Sequence, residues 1–84
     1  METSDKIITD LVLKGFKVIE ELVPSNDFSV ILRINIINNV NKRYFMDEKI
    51  SVLNLTMGID SCITFIRRNI LEQILEELKK NGEI

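Results

Sequence analysis

Catalysis and metal binding need side chains that move protons, attack or coordinate, and these 84 residues offer few of them. The chain contains no histidine, so the commonest metal ligand and the usual acid or base at neutral pH are both missing. Its one cysteine, Cys62, falls in the first turn of an expected helix, where the helix dipole can lower a thiol pKa. It also falls on that helix's apolar stripe, beside Asp60, with no histidine to act as its base, so it reads as a buried structural cysteine. Among the carboxylates, Glu20-Glu21, Asp47-Glu48, Asp60, Glu72 and Glu76-Glu77, no spacing forces two to converge as an acid/base pair. Glu72 and Glu76 are four apart and Glu76 is four before Lys80, the pattern of a solvated helix surface, while Asp47-Glu48 suits a turn. Glycine stands only at 15, 58 and 82, too sparse for a phosphate-cradling loop or a GxxG clamp. The expectation is a protein that is not an enzyme, with no cofactor and no metal.

Two binding chemistries remain. The cations Arg33, Lys42, Arg43, Arg67 and Arg68 form two doublets and a single strand residue, and with Lys49 some of them could share a sheet face. Against nucleic acid stand a net charge of -2 and a pI near 5.1, where a basic footprint is expected. Nucleic-acid binding through those five cations is therefore the alternative reading. The first reading starts from surplus hydrophobicity: Ile31 and Ile37 alternate out of phase with the apolar row of their strand, and Leu13 and Val18 lie off the main stripe of the first helix. Contiguous apolar patches mark interfaces, so Ile31, Ile37, Leu13 and Val18 are the expected interface of a homodimer or of a complex with another protein.

The elements that position these residues follow from periodicity. From Ser4, expected as N-cap, Ile8, Leu11, Val12, Phe16, Ile19, Leu22 and Val23 recur at helical steps up to Pro24, with Gly15 mid-helix suggesting close packing. After the turn residues Pro24-Ser25-Asn26-Asp27 the period changes to two: Phe28, Val30, Leu32, Ile34 and Ile36 form the core row of a strand. Asn38-Asn39-Val40-Asn41 suits a hairpin turn, Arg43-Tyr44-Phe45-Met46 its antiparallel return, and Ile50 to Leu55 a third strand in preference to an extended lead into the last helix. A last helix from Ile59 or Asp60 carries Cys62, Ile63, Ile66, Ile70, Leu71, Ile74, Leu75 and Leu78 and ends at Asn81-Gly82.

The expected fold is thus one α+β domain over residues 1–84: helix, two or three antiparallel strands, helix, with both helices on one face of the sheet. The same element order occurs in double-stranded RNA-binding domains, whose second helix opens with a lysine cluster; here Gly58-Ile59-Asp60-Ser61-Cys62 is acidic and apolar, so the likeness does not extend to function. Composition is 45% hydrophobic and 29% charged, that of a chain able to collapse, and a single cysteine allows no internal disulfide. The acidic start lacks a secretory signal and no run is long enough for a membrane helix, so a cytoplasmic location is expected. Absent alanine and abundant isoleucine, asparagine and lysine fit AT-rich coding DNA, hence a low-GC bacterium, its phage or an AT-rich virus. Together these point to a small, homodimeric protein-binding regulator or inhibitor, with a composition that suits a phage- or virus-encoded chain.

Overall fold

The computed structural model describes residues 3–25, 27–51 and 59–84. Their order is α1 (Ser4–Leu13), β1 (Lys17–Pro24), β2 (Ser29–Ile37), β3 (Arg43–Ser51) and α2 (Ile59–Lys80). The strands form one antiparallel sheet in the order β1-β2-β3, an α+β arrangement with one helix before the sheet and one after it.

The first half departs from the sequence expectation. The helix expected to run to Pro24 stops at Leu13, and Lys17–Pro24 is an edge strand whose last residue is that proline. Gly15 is the reason. Its φ is +95°, its amide donates to the Val12 carbonyl, and the Phe16 amide donates to the Leu11 carbonyl. This is a Schellman cap, and the accompanying apolar contact pair, Leu11 and Phe16, is buried in the core. A Cβ on Gly15 would meet no atom within 4 Å, so the glycine is there for its dihedral angle and not for close packing. At the other end of α1 the N-cap is Thr3, whose Oγ1 accepts from the Lys6 amide at 3.2 Å; Ser4 is the first helical residue.

The middle follows expectation more closely. Leu32, Ile34 and Ile36 of β2 are buried, although Phe28 lies outside the strand and is 85% exposed. The turn into β3 is organised by Asn38, whose Oδ1 accepts from the Val40 and Lys42 amides, and Asn41 takes a positive φ of 64°. In the expected third strand, Ile50 and Ser51 end β3, and Val52 to Leu55 lie outside the described residues. The helix α2 closes on the same cap as α1: Gly82 has φ +73° and Glu83 N donates to Leu78 O at 2.8 Å.

One core joins these elements. Ile7 and Leu11 of α1, Leu32, Ile34 and Ile36 of β2, Tyr44 and Ile50 of β3, and Ile70, Leu71, Ile74 and Leu78 of α2 are buried together with Phe16. Every strand residue in this set has an even number, because successive side chains of a strand alternate between faces. Glu83 ties the chain behind α2 to the hairpin, accepting from Asn38 Nδ2 at 2.6 Å and from Tyr44 Oη at 2.9 Å. Among the described residues no helix is long and apolar enough to cross a membrane.

Candidate interaction face

The odd-numbered strand residues point away from the core, and the pairing register arranges them in rows. Lys17, Ile37 and Arg43 stand opposite one another; so do Ile19, Asn35 and Phe45; so do Glu21, Arg33 and Asp47; and Val23, Ile31 and Lys49 form a fourth row. Seven of these residues, Ile19, Glu21, Arg33, Asn35, Ile37, Arg43 and Phe45, line an open concavity of about 410 Å³.

Its floor is polar and its rim mixed. Asn35 on the central strand is only 6% exposed, and its Oδ1 has no hydrogen-bond partner among the described residues. A buried amide oxygen in that state is costly, typically by about 1–3 kcal/mol. Phe45 on the edge strand is 54% exposed, a large apolar area to leave in water. The Arg43 guanidinium lies over its ring, 4.7 Å from the centroid.

In the next row Arg33 grips Asp47 with both ends of its fork, Nε to Oδ1 at 2.8 Å and Nη2 to Oδ2 at 3.0 Å. The hydrogen bond from Arg33 holds the Asp47 carboxyl below the usual aspartate range, and Asp47 in turn raises the Arg33 pKa. At the far end Lys49 contacts Asp27, whose carboxylate also accepts from Ser25 Oγ and Ser29 Oγ in the β1–β2 turn. Those three bonds, the one from Lys49 foremost, hold Asp27 far below the ordinary aspartate value.

The expected interface residues therefore divide. Ile31 and Ile37 share this face and are half-buried there. Val18 leaves the set, because the early end of α1 puts it on the core side of β1, opposite Ile36 and packed against the core. Leu13, the last residue of α1, is 80% exposed and is not among the residues lining the concavity.

The five cations are likewise not gathered into one patch. Arg33 and Arg43 lie on the open face, and Lys42 sits in the hairpin turn with its ammonium 5.1 Å from the Tyr44 ring centroid. Arg68 pairs with Glu72 one turn along α2. Arg67 instead joins three elements: it bonds Glu20 of β1 through Nε and Nη2, and Asp5 of α1 through Nη1 at 3.0 Å. Burial pulls the Arg67 pKa down, but Glu20 and Asp5 outweigh it and the net shift is upward.

Cys62 is half-buried near the start of α2. Among the described residues no three Cys, Asp or Glu side chains are grouped so as to hold a metal ion.

Sequence reasoning passed over Ile19, Glu21, Asn35 and Phe45. The signal was present for all four: Lys17, Ile19 and Glu21 alternate with Val18 and Glu20, Arg33, Asn35 and Ile37 alternate with Ile34 and Ile36, and Arg43, Phe45 and Asp47 alternate with Tyr44 and Met46. Reading the first set as helix hid the alternation. Compared with known protein families, with curated proteins and with solved structures, the chain has no match in any of the three.

Proposed function

We propose that this chain is a non-enzymatic protein-binding module, a small regulator or inhibitor that docks through the open face of its sheet. In this reading both helices cover the even-numbered face and leave the odd-numbered one for a partner. The observation that carries it is the half-exposed Phe45 beside Ile19 and Ile37 around the buried Asn35 oxygen, which has no partner among the described residues. An aromatic anchor in a partly desolvated pocket with a charged surround is the anatomy of an interface centre. A cytoplasmic, phage or viral setting fits the composition and belongs to the same proposal.

The test is a pull-down from native extract with the wild-type chain and with Phe45→Asp, folding being checked by circular dichroism. A stoichiometric protein captured by the wild type and lost with Phe45→Asp is expected. Equal capture by both would remove the face from the reading.

Nucleic-acid binding remains the second reading, favoured by Arg33, Arg43 and Lys49 sharing one face with an exposed aromatic ring. It predicts retention that falls steeply with salt, because each neutralised phosphate releases counterions. Arg33 and Lys49, however, already engage Asp47 and Asp27.

A further inference from the structure

On the open face each edge strand repeats one order: cation, apolar residue, anion. In β1 it is Lys17, Ile19, Glu21, and in β3 it is Arg43, Phe45, Asp47. Between them β2 presents Ile37, Asn35 and Arg33 in register, so three of the four rows, those around the concavity, run as a cationic row, a middle row and an anionic-rimmed row, with Val23, Ile31 and Lys49 beyond them. A pattern that inverts its charge about its own middle is complementary to itself. We infer that the occupant of this face is a second copy of the chain, stacked face to face about a two-fold axis lying across the strands along the row Ile19, Asn35, Phe45.

The inference rests on the docking reading above and names its partner. Rotation about that axis keeps each strand over its own copy but reverses its direction. Lys17 then faces Glu21 of the second copy and Arg43 faces its Asp47, each pair occurring twice. Ile37 lies opposite the aliphatic stem of Arg33, whose guanidinium stays on Asp47. The middle-row residues meet their own copies across the axis. For Asn35 that matters most: an amide carries both donor and acceptor, so two Asn35 side chains on a two-fold axis can satisfy each other and the stranded Oδ1.

The other face-to-face two-fold that keeps the strands of both copies aligned, along β2, fails on charge. It sets Lys17 over Arg43 and Glu21 over Asp47, like on like at every corner. Charge pattern thus selects one arrangement from two, as electrostatics does at interfaces where it fixes register more than affinity. Sheets stacked this way lie about 10 Å apart. Nine residues a side is small against the roughly 20–30 of a standard interface, so the dimer forms reversibly with concentration.

The experiment is sedimentation velocity over a concentration series on the full chain. A reversible dimer is expected for the wild type, weakened about tenfold by Arg43→Glu, since both Arg43–Asp47 contacts across the axis become like-charge contacts. The chain carrying Lys17→Glu with Arg43→Glu and the chain carrying Glu21→Lys with Asp47→Lys should each stay monomeric alone and associate when mixed. If the Asp47 variant fails to fold for want of its Arg33 pair, the swap Lys17→Glu/Glu21→Lys within one chain replaces it and should dimerise like the wild type.

Position is read independently: Phe45→Cys in a Cys62→Ser background should join to its own copy through a short bismaleimide. Tighter association of Arg43→Glu would overturn the axis and point to the like-on-like stack. A wild type that stays monomeric at every concentration would overturn the second copy altogether. If such a monomer still captures another protein through Phe45, the docking reading stands alone; if it captures nothing, or only nucleic acid lost on adding salt, both fall.

Discussion

The two faces of one strand show how differently the same residue type is used. Along β2, Ile34 and Ile36 are wholly buried and belong to the core, whereas Ile31 and Ile37, on the other side of the same backbone, are only half-buried. The even-numbered residues of β2 and β3 share one buried apolar cluster with side chains of α1 and α2, and Glu83 accepts from Tyr44 and Asn38 at its end. The odd face mixes aliphatic and aromatic carbon with an Arg33–Asp47 fork and an amide oxygen that nothing in the described residues satisfies. Burial on the first face holds the fold together. On the second, the same apolar character stays partly in water.

The sharpest way to break this comparison is truncation. Ile34→Ala should cost about 3 kcal/mol in denaturant unfolding, within the usual range for a buried aliphatic, and Ile31→Ala less than about 1 kcal/mol. Equal losses would mean that the odd face is as structural as the even one. Next comes the glycine that places β1 in the sheet at all. Gly15→Ala forces a Cβ into the left-handed region at φ +95° and should destabilise by about 1–2 kcal/mol, while Gly82→Ala, at φ +73° and so closer to the left-handed well that side chains can occupy, should lose less. Thermal melts of the two variants side by side read the difference.

A smaller effect tests how β1 is held to the helices. Arg67→Ala removes the bonds to Glu20 and Asp5 and should cost about 1 kcal/mol, because the side chain is mostly covered while its partner Asp5 is open to water. High salt should shrink that difference if the charges carry it.

The smallest expected change is in acid. The Asp27 and Asp47 carboxyls have folded pKa values below their unfolded ones, so each contributes stability above the ordinary aspartate value near 3.9, and that contribution is lost as pH falls through it towards the depressed folded value. Urea midpoints measured on descending pH should therefore fall less steeply for Asp27→Asn than for the wild type. An identical slope would show that the Lys49 and serine contacts add nothing in solution.

How much could be read without coordinates is clearest at the two glycines. Asn81-Gly82 and Lys14-Gly15 carry the same information, and both close a helix with a left-handed residue. The first was legible because apolar residues stop there. The second was not, because Ile19, Leu22 and Val23 continue at steps that suit a helix as well as a strand, and periodicity over so short a run does not separate them. From that one misreading followed the wrong place for Val18 and the loss of Ile19 and Glu21 from the candidate face.

The placement of the cations was hidden for another reason. Arg67 is seen from sequence as one of a doublet on α2, yet its partners Glu20 and Asp5 are 47 and 62 residues away.

What the chain determined by itself is local: the alternating run of β2, the asparagine turn at 38–41, the length of α2 and its glycine cap. Each rests on dihedral preference or on apolar spacing within a few residues, where nearby atoms decide the energy. The identity of β1, the division of the isoleucines between two faces, and the pairing of every arginine but Arg43 and Arg68 were decided only by the tertiary structure. Lys17–Pro24 has no strong preference of its own and becomes a strand because the edge of β2 supplies its hydrogen-bond partners across the sheet. Which surface is left open then follows from where that edge falls.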